Sequence, residues 1–214
     1  MSNAHRVTRD FEDAIAKYCG SRYAVAVNSC TNALLLAVAF HLRSGAPLTA
    51  AMKMACSKTG GPWIEIPRLT YIGVAQSILN AGARVQFRDE LWRGAYRLEP
   101  FPIVDAARRF HANMHRFGDF TCVSLHISKI CGVDQGGVIL LDDEHATRML
   151  KRMRFDGRAE GTAPKYDTFV RGYHCYLSPS IAAQALWKLS TLDKMNDDLP
   201  NGDYGDLSTQ EIFR

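Results

Sequence analysis

Short β-like runs alternate with helical runs along most of this chain, and that alternation confines it to strands joined largely by crossover helices. Residues 9–18 place Phe11, Ile15 and Tyr18 on one face and stop at Gly20, which reads as a helix with a glycine terminator. Tyr23–Val27 follows as a buried strand. Asn28 and Ser29 then cap a helix from about Thr31 to Arg43, closed by Gly45. A helical stretch over 46–58 is broken by Gly60-Gly61-Pro62 before the strand Trp63–Ile66. A helix Thr70–Asn80, a turn at Gly82 and the strand Arg84–Phe87 repeat the unit. Phe101–Val104 is a further strand ending at Asp105. After an irregular basic stretch, two strands, Phe120–Leu125 and Val138–Leu141, flank Lys129. Asp142 caps a helix to about Arg154, and 157–173 reads as an extended, glycine-punctuated loop. Ser178-Pro179 opens a last helix with Ile181, Ala185, Leu189 and Leu192 on one face and proline at its favoured first-turn position. From Asn196 the composition turns polar. The expected division is a folded domain over 1–195 and a loosely held polar tail over 196–214.

At 214 residues the chain can bury a substantial core. Hydrophobic content of 47% and charged content of 22% indicate neither disorder nor a membrane protein. The net charge of +4 is spread along the chain apart from Arg148, Lys151, Arg152, Arg154 and Arg158, a cluster read as a solvated helix face rather than a nucleic-acid footprint. The six cysteines form no C-x-x-C pair, which argues against a zinc site or a disulfide framework and points to reduced thiols and a cytoplasmic protein. Asp10, Glu12 and Asp13 near the start do not suit a signal peptide, and the longest apolar run, Ala33–Phe40, is too short to span a bilayer.

Chemistry concentrates at four places. Lys129 sits between two apolar strands, where an ammonium is costly unless it does chemistry, so it is a Schiff-base candidate. Residues 28–33 join a strand to a helix, where backbone N–H groups and the hydroxyls of Ser29 and Thr31 meet at a helix N-terminus suited to an anion. Asp105 closes an apolar strand, so its carboxylate projects at the carboxyl edge of the sheet, where open α/β folds bind ligands. Tyr71 offers a ring face. On these residues alone each has a plain alternative: capping for residues 28–33 and Asp105, core or rim for Tyr71, and a surface or salt-bridged site for Lys129. Together, a phosphate cradle, an aromatic face, a carboxylate and a buried lysine are what pyridoxal phosphate (PLP) requires.

Five ordered blocks resemble the DegT/StrS group of nucleotide-sugar aminotransferases. They are Phe11-Glu12 with Ala24 to Leu34, Ile66-Pro67 with Thr70-Tyr71, Val104 to Ala107, Ser124 to Lys129 with Gly136-Gly137, and Gly172 to Leu177 with Ala182-Ala183. The resemblance covers about Phe11 to Lys194. It implies a three-layer α/β/α sandwich with a mostly parallel sheet, like the large domain of fold-type-I PLP enzymes. It also implies that Lys129 carries PLP, Asp105 pairs with the ring nitrogen, Tyr71 covers the ring, and Thr31, Asn32 and Ser124 hold the phosphate. Four positions depart from the family pattern: Cys30 for glycine, Leu125 for phenylalanine, Arg108 where Gln or His supports the ring oxygen, and His174 where Asn reaches the partner subunit's phosphate.

The resemblance further implies a homodimer that aminates a keto sugar, nucleotide-linked, with glutamate as donor. It implies no nucleic-acid or membrane partner and no metal. Lys129 disfavours the related dehydratases, which have histidine there. Two family features are missing from the sequence: a strand–helix excursion between Asp89 and Asp105, and a C-terminal small domain. They keep a second reading open, a degenerate PLP-binding homologue that serves as a partner subunit or scaffold.

Overall fold

Side chains of successive strand residues point to opposite faces, so each buried strand feeds two cores at once. The computed structural model describes residues 5–43, 49–57 and 62–213. Among them run the strands β1 (Tyr23–Val27), β2 (Trp63–Pro67), β3 (Arg84–Arg88), β4 (Tyr96–Leu98), β5 (Ile103–Asp105), β6 (Phe120–Ser124) and β7 (Gly137–Leu141). The helices are α1 (Arg6–Cys19), α2 (Cys30–Arg43), α3 (Ala50–Ser57), α4 (Ile72–Ala81), α5 (Glu144–Met153) and α6 (Pro179–Ser190). Ala24, Ala26, Val138 and Leu140 pack with Phe11, Ile15, Ala182 and Ala185 of α1 and α6. Val25, Val27, Ile139 and Leu141 pack with residues of α2, α4 and α5 on the other side. The result is an α/β sandwich of three layers. Truncating a fully buried residue such as Ile139 to alanine would cost about 2–5 kcal/mol.

The sheet is mixed, which corrects the expectation of mostly parallel strands. Hydrogen bonds order five strands as β1-β7-β6-β5-β4, with β2 and β3 as a separate parallel pair. A bridge between Glu65 and Glu99, with N–H···O distances of 2.8 and 3.0 Å, attaches β2 beside β4. The strands therefore follow one another as β3-β2-β4-β5-β6-β7-β1. Only β2–β3 and β5–β6 are parallel; β1–β7, β6–β7 and β4–β5 are antiparallel. A parallel neighbour needs a crossover, and neither the Lys129 loop from β6 to β7 nor the short turn from β4 to β5 contains a helix.

Most element boundaries fall within a few residues of expectation, with four informative differences. β4 lies between Asp89 and Asp105, a stretch to which the sequence assigns no strand before Phe101. Asp143, not Asp142, caps α5 by accepting from the Ala146 N–H at 3.0 Å. Asp142 instead accepts from the Arg22 N–H and from His115 Nε2, each at 3.0 Å. The basic cluster is not wholly solvated, because Arg154 is buried against Glu12 and the Ala26 carbonyl, and Lys151 reaches Glu12 at 2.9 Å. A lone buried carboxylate is costly, so Glu12 draws cations inward.

The tail is not loosely held either. Leu207 is buried and its N–H donates to the Arg68 carbonyl at 3.0 Å, Asp206 pairs with Arg68 at 2.5 Å, and Asp198 pairs with Arg109 at 2.6 Å. Its polar residues find arginines on the domain, so a polar composition does not leave it free. Gly45 and Gly60-Gly61, read as breaks, lie outside the described residues. Among the described residues no helix is long and apolar enough to cross a membrane.

Candidate active site

The turns that follow β1, β5 and β6 converge with the start of α4 on one cavity of about 390 Å³. Cys30 and Thr31 open α2 directly after β1. Asp105 ends β5 and Arg108 lies just beyond, Ser124 ends β6, Lys129 lies on the loop after it, and Tyr71 caps α4. All seven of these sequence-predicted residues line the cavity, with Ser29, Thr70, Trp92, His126, Ser128 and Tyr204 among the others. Close backbone approach makes this convergence feasible: a Cβ at Gly137 would stand 2.5 Å from the Cys30 nitrogen, so only glycine lets β7 begin against the turn into α2.

At the floor, Asp105 is buried and meets only neutral donors, accepting from Tyr96 Oη at 2.9 Å and from the Ala107 N–H at 2.9 Å. Burial pushes its pKa up; those two hydrogen bonds, and the more distant Lys129 and Arg108, pull against it. Lys129 is half-buried and, among the described residues, makes no ion pair. Burial, then the Arg108 charge, lowers its pKa, which enlarges the neutral, nucleophilic fraction of the amine. The N-terminus of α2 and the hydroxyls of Ser29, Thr31, Ser124 and Ser128 line the same cavity, a setting that favours an anion.

The outer wall is aromatic and was missed in the sequence. Trp92 donates from Nε1 to the Leu69 carbonyl at 2.9 Å and stacks on Tyr204, ring centroids 6.2 Å apart and planes 17° apart. Arg108 lies 5.3 Å from the Tyr204 ring centroid, donates from Nε to Tyr204 Oη at 3.0 Å, and from Nη1 to the Pro200 carbonyl. The tail thus closes one side of the cavity. Tyr204 between Gly202 and Gly205 was the available signal, since an aromatic residue in a polar glycine-rich segment is a natural docking anchor.

Two predicted residues stay outside the cavity. Asn32 turns its side chain onto Asn28, Nδ2 to Oδ1 at 2.7 Å, and its N–H onto Ser29 Oγ at 3.1 Å, because both neighbours offer acceptors within one helical turn. His174 is exposed, 3.0 Å from Asp156 and edge-on to Tyr176. In a single chain it contributes nothing to the cavity.

A model of the DegT/DnrJ/EryC1/StrS aminotransferase family matches residues 2–92 and 102–199, and the chain belongs to that family. The unmatched stretch between is the one that holds β4. Among curated relatives, the spore coat polysaccharide biosynthesis protein SpsC of Bacillus subtilis is 23% identical, the match covering 87% of this chain and 57% of the relative. The GDP-perosamine synthase of Caulobacter vibrioides is 24% identical, covering 91% and 59%. The chain therefore spans somewhat over half the length of these relatives. Among solved structures, AtS13 from Actinomadura melliaura superposes with a TM-score of 0.69 at 20% identity, covering 87% of this chain and 60% of that one. The sugar aminotransferase CalS13 from Micromonospora echinospora gives 0.68 at 18% identity, with the same coverage. These superpositions establish a shared fold.

Proposed function

We propose that the chain is a PLP-dependent aminotransferase that moves an amino group onto a keto sugar, nucleotide-linked, with glutamate as donor. The observation that carries this reading is the joint placement of Lys129, Asp105, Thr31, Ser124 and Tyr71 around one cavity. Their chemistry fits the cofactor. A buried carboxylate with only neutral donors has room for a cationic ring nitrogen, and hydroxyls beside a helix N-terminus suit a phosphate. The sugar acceptor is supported by family membership and by the names of the two curated relatives.

PLP, when bound, supplies the electron sink that makes an amine's α-proton acidic. The chain supplies the rest. Lys129 would hold the cofactor, and its Nζ, once free, accepts and returns the migrating proton. Asp105 holds a proton on the ring nitrogen, Thr31 and Ser124 bind the phosphate, and Tyr71 at the mouth excludes water from one ring face. In a homodimer, the exposed His174 would face the partner subunit's phosphate.

Borohydride reduction of the PLP-reconstituted protein, followed by peptide mapping, should place the pyridoxyl group on Lys129; a label elsewhere or none refutes the reading. A second reading, binding without turnover as a partner subunit, is favoured by one observation: Pro200 and Tyr204 of the tail already engage Arg108 on the open side. Visible spectra before and after glutamate separate the two, because only the enzyme converts bound PLP to its amine form.

A further inference from the structure

Asp105 does not face the cavity alone. Tyr96 donates its hydroxyl proton to Asp105 Oδ2 at 2.9 Å, and the Tyr96 oxygen lies 2.6 Å from Thr70 Oγ1. A phenol has one proton to give, so with Asp105 ionised the Thr70 hydroxyl is the donor to Tyr96. All three residues are buried, at 4% exposure for Tyr96, 5% for Asp105 and 2% for Thr70. The arrangement is built by the backbone. β4 pairs antiparallel with β5 in a register that sets Tyr96 directly opposite Asp105. Residues so paired have neighbouring side chains on one face. The Trp92 ring meets Tyr96 edge-on at 4.7 Å and limits its movement.

We infer that Tyr96, supported by Thr70, is a positioning residue for the cofactor: it fixes the orientation of Asp105 and weakens it as a base, so that a proton shared with a ring nitrogen rests on the ring. This rests on the PLP reading above. Other groups facing Asp105 are Cys30 from α2, Cys122 from β6, Lys129 from the loop after β6 and Arg108 from the turn after β5. None of them makes a hydrogen bond to its carboxylate, whereas Tyr96 does. Burial, then the neighbouring Asp105 charge, holds the Tyr96 hydroxyl well above its ordinary pKa, so it remains a donor throughout the working range. Were Asp105 the stronger base, the proton would move to it and the ring would lose its cationic character, the property that makes it an electron sink. Thr70 adds to the effect, since a hydroxyl that accepts a hydrogen bond donates a stronger one.

The test is a carbon-13 NMR titration of the aspartate carboxyls in the cofactor-free full chain, with the Asp105 signal identified by its loss in Asp105→Asn. Tyr96→Phe should raise the Asp105 midpoint by about one to two pH units, the worth of a hydrogen bond to a charged group. Thr70→Val should move it the same way by less. In the PLP-loaded protein, the nitrogen-15 signal of labelled cofactor should shift from the protonated toward the neutral position in Tyr96→Phe. Superimposable Asp105 titrations in wild type and Tyr96→Phe overturn the inference. If Tyr96→Phe does not fold, an unchanged midpoint in Thr70→Val overturns it instead. A wild-type chain that takes up no PLP at Lys129 sinks the functional reading, while the carboxyl titrations still decide the role of Tyr96.

Discussion

Gly73→Ala separates stability from cofactor affinity, because the two should move in opposite directions. Gly73 lies in the first turn of α4, and a Cβ there would stand 2.6 Å from Tyr71 Cε1 and 2.9 Å from Thr31 Oγ1. Both must move, by different amounts: Thr31 Oγ1, anchored in α2, has to give by a few tenths of an ångström, whereas the Tyr71 ring, 55% exposed and the closer of the two, swings away. Replacing a helical glycine by alanine stabilises the fold by about 0.5–1 kcal/mol, which in a chain of this size raises Tm by about 1–4 °C. If Tyr71 covers PLP as proposed, the displaced ring would lose that contact, and an aromatic contact is worth about 0.5–1.5 kcal/mol. That corresponds to about a 2- to 12-fold weaker Kd. Fluorescence titration of the cofactor-free protein with PLP, beside a thermal melt, measures both. An unchanged Kd together with a raised Tm would show that the ring position set by Gly73 has no part in binding. A loss beyond about 100-fold would mean that the Thr31 hydroxyl has moved out of reach of the phosphate altogether, since a hydrogen bond to a charged phosphate adds about 1.5–3 kcal/mol.

Asp105→Asn should bind PLP yet load the amine from glutamate at least about tenfold more slowly, because a neutral amide holds the ring proton less well; stopped-flow absorbance at wild-type rates would remove Asp105 from the chemistry. Tyr204→Ala should leave amine loading unchanged and raise the KM of a sugar acceptor several-fold, since it opens the wall and spares the floor; an equal fall in loading rate would contradict that division. Tail docking should depend on acid pH through Asp198, which Arg109 holds below the usual carboxylate range. A carboxylate with a depressed folded pKa contributes fully above its unfolded value, near 3.9, and loses that contribution as pH falls through the folded one. Protection against hydrogen exchange over 196–207, measured relative to the intrinsic amide rate at each pH, should therefore fall below about pH 4, and in Asp198→Asn already at neutral pH.

Most of the cavity-lining residues named from the sequence were legible because they stand at changes of local pattern. Thr31, Asp105 and Ser124 each follow or end a short apolar run, so their position at a strand edge comes from periodicity. The motif order around Lys129 then identified the family. Asn32 was misplaced for a local reason too, since Asn28 and Ser29 satisfy it within a single turn. β4 was invisible: three residues, Tyr96 to Leu98, show too little alternation to stand out, and they form a strand only because β5 supplies the hydrogen bonds.

By itself the sequence determined the succession of helices and strands, the caps at Gly20 and Ser178, and the set of side chains delivered to the carboxyl ends of the strands. All of these depend on neighbours a few residues apart. Only the tertiary structure decided that the sheet is mixed, that Tyr96 faces Asp105 and that Arg154 goes inside to meet Glu12. It alone brought Tyr204 back over the cavity to Trp92 and Arg108. Each of these joins parts of the chain with no common local pattern, and in each the outcome turns on pairing a buried polar group or closing an exposed edge. Which partner satisfies such a group depends on what the rest of the fold places beside it, and short-range periodicity does not carry that information.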